Sequence, residues 1–153
     1  MANVSTFMAI HMLAPVPLLL QHGCIDVYGG DKPLSANESP PGALLGRITR
    51  NGGEWLESAT ANGLVWDDLG GVIAKPAAHV WIFRGWTVGT ASWFRIRGAA
   101  SDLGAFSLAH PRLDGTIQVD SYQGPEGFDF YMPTLQVTPT TNRVINEFAF
   151  NLF

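Results

Sequence analysis

The sequence predicts an all-β protein: an antiparallel β-sandwich, jelly-roll or immunoglobulin-like, of about eight strands. Three observations predict it. Short alternating apolar and polar runs recur along the chain, each closed by Gly, Pro, Asn or Asp. Gly (17) and Pro (10) are abundant and accompany five Trp and nine Phe, the composition of short strands joined by tight turns. No stretch beyond the N-terminal segment carries a sustained helical period. The length of 153 residues suits one domain with a real core.

In chain order, the apolar run Phe7–Leu20 (FMAIHMLAPVPLLL) comes first. No Lys or Arg precedes it and Pro15 and Pro17 interrupt it, so a cleaved signal is not expected. It is too short for a membrane span. It is expected to form a helical or extended arm over 1–23 that docks on its own domain or on a neighbour. Its candidate contact residues are Phe7, Met8, Ile10, Met12, Leu13, Leu18, Leu19 and Leu20.

The β-sandwich domain is expected over 24–153. Cys24–Tyr28 alternates and stops at Gly29-Gly30; Ala43–Thr49 stops at Asn51-Gly52-Gly53. Gly63–Trp66 is short and ends at Asp67-Asp68, which reads as a turn, and Val72–Lys75 stops before Pro76. Val80–Arg84 and Ser92–Arg97 are the clearest strands. In the second, Trp93, Arg95 and Arg97 share one face and Phe94 and Ile96 the other. One face should be buried, and the opposite face wet or at an interface. Gly115–Val119 and Thr134–Thr138 follow, with Asp114-Gly115 read as turn-like. The tail, Val144–Phe153, places Phe148, Phe150 and Leu152 on one side, as a half-buried closing strand. Asn151 and Ala149 occupy the positions where an outer-membrane barrel needs lipid-facing apolar residues, so that reading is set aside.

Charge and spacing narrow the chemistry. The formal net charge is −4 and the nine Lys and Arg residues are scattered, which argues against a nucleic-acid groove. The charged fraction of 14% against 46% apolar leaves few charges to cover a surface, as in chains that give surface to a partner. His11, His22, His79 and His110 lie far apart without metal-ligand spacing. No GxSxG elbow or phosphate loop is present, and Asp67-Asp68 on neighbouring strand positions would face opposite ways. Cys24 reads as a small buried hydrophobe. No catalytic residue, metal, cofactor, nucleic acid or membrane partner is expected.

Trp81, Trp86 and Trp93, with Arg84, Arg95 and Arg97, leave two readings open. They form a sugar-stacking or hot-spot face, or they are core aromatics with arginine stems laid over them. The core reading is preferred.

Several segments together resemble small tailed-bacteriophage virion structural proteins. They are Ile25–Pro33 (a strand ending Y-x-G-x-x-P), Gly42–Thr49 (G-x-L-L-G-x-I), Asn62-Gly63-Leu64, Gly89–Arg95 (G-T-A-x-W-F-R) and Asp114–Ile117 (D-G-T). The resemblance covers about residues 24–120. It implies a non-enzymatic structural role in the particle, first as a capsid decoration or cement subunit on the major capsid protein. A tail, neck or fibre-associated component comes second. It also implies a homo-oligomer in the virion, assembled in the host cytoplasm. A carbohydrate-binding module using the Trp face is the alternative from another class.

Overall fold

A computed structural model describes residues 3–5, 8, 16–69, 72–119 and 130–151. The protein is an all-β sandwich, with a short helix over Val16–Leu20 among the described residues. In chain order the elements are β1 (Asn3–Val4), α1 (Val16–Leu20), β2 (Cys24–Tyr28), β3 (Leu44–Arg50), β4 (Asp67–Asp68), β5 (Val72–Ala74), β6 (Trp81–Gly85) and β7 (Gly89–Thr90). Then come β8 (Trp93–Arg97), β9 (Arg112–Val119), β10 (Phe130–Met132), β11 (Gln136–Val137), β12 (Asn142–Ile145) and β13 (Ala149–Asn151).

The main sheet runs β1-β9-β8-β2-β3-β6-β12, antiparallel throughout, and β10 adds to β9 in parallel. β13-β5-β4 forms a small second sheet, and β11 pairs with β7. The alternation of β2 decides what each face of the main sheet carries. Ile25 and Val27 point one way, with Ile48, Phe83, Phe94, Ile96, Leu113 and Ile117 from the neighbouring strands. Over that apolar face lies the second sheet. Trp66 joins the two layers: its ring meets Trp81 of β6 edge-on at 4.8 Å and Phe150 of β13 at 5.6 Å. Phe148 reaches Phe94 at 5.4 Å. Such edge-to-face packing adds to the burial of large aromatic rings.

Most predicted strands are present, with shifts that have physical causes. The strand expected from Gly115 starts at Arg112, so Asp114-Gly115 lies inside β9 and not in a turn. There Asp114 pairs with Arg95, and that partner is what allows an Asp-Gly step within a strand. Asp67-Asp68 likewise pairs with β5, although both side chains are exposed. Gly63–Trp66 is reduced to one bridge, Gly23 to Leu64, and the tail divides into β12 and β13. After β3, Asn51 and Gly52 both take positive φ (56° and 65°), the conformation that Asn and Gly tolerate best.

The N-terminal segment is less separate than the 23/24 boundary suggests. Asn3–Val4 pairs with β9, and Met8, Val16 and Leu20 lie in the common core.

Candidate functional site: a loop platform on a charged sheet face

The second face of the main sheet is the unusual one. Along one row, the register sets Asn3, Asp114, Arg95, Asp26, Arg47, Arg84 and Asn142 side by side on consecutive strands. Opposite charges alternate through most of it, as cross-strand pairing favours. Arg95 grips Asp114 with two parallel hydrogen bonds, Nε and Nη2 donating at 2.7 Å each. Asp26 takes Arg47 Nε at 2.5 Å on one oxygen and lies 3.1 Å from Arg97 Nε on the other. In the adjacent row Arg112 makes a two-pronged pair with Asp102, its Nε donating at 2.7 Å. Arg95, Arg112, Asp26, Asp102 and Asp114 are all buried. Bidentate arginine–carboxylate geometry is what makes such burial tolerable.

Two loops cover this face, 31–42 and 98–111. The arginines hold them from beneath through backbone carbonyls. Arg95 Nη1 donates to Glu38 O at 2.9 Å and Arg112 Nη1 to Asn37 O at 3.2 Å. Arg112 Nη2 reaches Ala105 O at 2.9 Å and Arg97 Nη1 reaches Asp102 O at 2.5 Å. The loops also touch each other, Ser107 N donating to Asn37 O at 2.9 Å. Asn3 Nδ2 donates to Pro33 O and Leu34 O, both at 3.2 Å. Asp102 is held further by the Gly104 amide at 2.9 Å. Burial pushes its carboxyl up, but the Arg112 bonds and that amide outweigh burial and hold it below the ordinary carboxylate range.

On the outside, these fixed loops present large apolar side chains to solvent. Leu34 and Leu103 are each 92% exposed and Phe106 is 64% exposed, with Leu108 beside it in sequence. Loop backbones anchored at this many points have little further freedom to lose, so these side chains stand on a rigid support. An open depression of about 480 Å³ runs beside it, between Leu103 and Arg47.

The sequence candidates divide sharply. Trp81 and Trp93 are fully buried, Trp81 in the aromatic core and Trp93 stacked on Tyr28 with ring centroids 4.4 Å apart. Trp81 and Trp93 therefore form no flat exposed platform. The face of β8 expected to be wet is buried too, because loops 31–42 and 98–111 lie over Arg95 and Arg97. Of the set, Trp86, at 48%, and Arg84 stand in solvent. In the arm, Met8 and Leu20 are core residues and cannot dock on a neighbour, since their burial is inside their own domain. Leu18 is exposed, Leu19 is half-buried, and Phe7, Ile10, Met12 and Leu13 lie outside the described residues.

Sequence reasoning missed Asp26, Arg47, Asp102, Arg112 and Asp114 as one system. Parity could have found part of it. Asp26 in Cys-Ile-Asp-Val-Tyr, Arg95 in Trp-Phe-Arg-Ile-Arg and Arg112 with Asp114 all stand at alternate positions of apolar strands. Among the described residues no three metal-ligating side chains converge. Cys24 is fully buried, and burial, with the Asp26 carboxylate adding to it, pushes its thiol up to about 12. A thiol held there is protonated at neutral pH and is a poor nucleophile.

Compared with family models, curated proteins and solved structures, the chain matches none.

Proposed function

We propose that this chain is a non-enzymatic structural protein of a tailed-bacteriophage particle, a capsid decoration or cement subunit that binds the shell through the loop platform. The observation that carries the reading is the exposure of Leu34, Leu103, Phe106 and Leu108 on loops fixed from below by Arg95, Arg97 and Arg112. Apolar side chains on a mobile loop would lose much of their contact energy to ordering; on a fixed loop they keep it. The buried carboxylates Asp114 and Asp102 are engaged by Arg95 and Arg112. The order of the strand and turn motifs, and its likeness to small virion proteins, supports the particle as the setting. The major capsid protein is the favoured partner, with several copies of the chain per particle.

The test is co-sedimentation of the purified chain with shells that lack it. Saturable binding is expected, and the double variant Leu103→Ser with Phe106→Ser is expected to bind at least about tenfold more weakly, since each buried side chain is worth roughly 1.5–3 kcal/mol. Both positions are exposed, so the variant should unfold at the same denaturant midpoint. Full binding by the variant would refute the platform, and binding to purified tails but not to shells would move the subunit to the tail.

A further inference from the structure

Beyond the platform, the row of charges ends in an imbalance. Arg47 and Arg84 stand directly opposite on β3 and β6, on the same face. Like charges so placed repel unless a counter-charge separates them. Asp26 is shared between Arg47 and Arg97, so it cannot neutralise both, and among the described residues no carboxylate lies within ion-pair distance of Arg84. The Arg84 side chain makes no hydrogen bond there, and Arg47 uses only its Nε. Positive charge therefore accumulates locally on a chain whose formal net charge is −4.

The surroundings are built to hold the Arg47 guanidinium in place. Arg47 lies between two indole rings, 5.2 Å from the centroid of Trp55 and 5.1 Å from that of Trp86. Trp55 is buried and fixed by its indole N–H, which donates to His22 O at 2.8 Å. A groove of about 350 Å³ opens here, walled by Arg47, Arg84, Trp55, Trp86, Thr49 and the Gly52-Gly53 turn, with the exposed carboxylate of Glu54 at its edge, so two arginines face one acidic side chain. The guanidinium is a planar fork of donors that suits a carboxylate, and the two rings fix its orientation at Arg47.

We infer that this groove is a binding site for a carboxylate-bearing segment of a partner protein, an Asp or Glu side chain held by Arg84 and Arg47 with a neighbouring apolar residue against Trp86. The net negative charge of the chain opposes a long polyanion, whereas a single acidic side chain meets only the local positive field. The inference rests on the groove alone and stands whether or not the partner is a virion protein.

The experiment is a nitrogen-15 NMR titration of the full chain with a capped Glu-Phe-Glu tripeptide, followed at the indole N–H and arginine Nε–H signals. Saturable shifts at Trp86 and Arg84 are expected, weakening as salt is raised. Arg84→Gln and Trp86→Ala are each expected to lower affinity about tenfold or more. Both side chains are solvent-exposed, so the folded spectrum should persist. Glu54→Gln, which removes an exposed carboxylate at the groove, should bind at least as tightly. The inference is overturned if no saturable shift occurs, if Arg84→Gln binds unchanged, if Glu54→Gln binds more weakly, or if a capped Gln-Phe-Gln peptide binds equally. Sulfate or glucuronate binding as tightly as the tripeptide would also overturn it, in favour of a general anion or sugar-acid site.

Discussion

Asp102 and Arg112 show most plainly how single residues carry this architecture. Each is buried, and each reaches beyond the pair into loop backbone: Arg112 to the carbonyls of Asn37 and Ala105, Asp102 to the Gly104 amide. Removing one partner strands the other in the interior, which costs about 3–5 kcal/mol. Asp102→Asn is therefore expected to lower unfolding stability by about 3 kcal/mol at neutral pH. The sign with pH follows from the lowered carboxyl. A group whose folded value lies below its ordinary 3.8 contributes fully above that value and loses its contribution as pH falls through the folded one. The gap between wild type and variant in chemical denaturation should thus be constant from pH 7 to about pH 5 and shrink below about pH 4. A gap that is independent of pH would rule out this role. The carboxylates and arginines were legible one by one as alternate strand residues. Their pairing was not, because Asp102 comes from a loop and the registers joining Asp26, Arg95 and Asp114 are set by contacts far apart in sequence.

At the scale of elements, α1 and β1 pack on their own domain, one of the two placements open to the N-terminal segment. The apolar run was visible in the sequence, but an apolar run does not say whose core it enters. Leu20 is fully buried beside the start of β2, where Gly23 N donates to Leu20 O at 3.2 Å. The close approach there is strict: a side chain on Gly23 would put its Cβ 1.7 Å from Arg97 O, backbone of the adjacent strand. Leu20→Ala is expected to cost about 2–5 kcal/mol by leaving a cavity in the core. Equilibrium urea unfolding measures it, and a loss under about 1 kcal/mol would restore the arm as a separate segment. Strands β2, β3, β6 and β8 were readable because β-branched and aromatic residues alternate between clear turn residues. β4 and β7 were not, since two-residue strands exist only through the partner that pairs with them.

The whole molecule has two unlike halves. One side of the main sheet is packed with aromatic and aliphatic side chains beneath a second sheet; the other is packed with ion pairs beneath two loops. The fold class followed from composition and alternation. The second packed face did not: arginine and aspartate at alternate strand positions ordinarily signal water, and here they signal a polar layer that fixes loops above it. On the outer side of those loops stand the exposed Leu34, Leu103, Phe106 and Leu108, which the proposed function takes as the contact surface in place of the apolar arm. The central claim is that the protein works through this platform. Hydroxyl-radical footprinting of the chain in purified particles, against the free chain, tests it most directly. Strong protection of Leu34, Leu103, Phe106 and Leu108 in the particle is the predicted result, with Leu18 on α1 left unchanged. Unchanged labelling of the four platform residues would contradict the account.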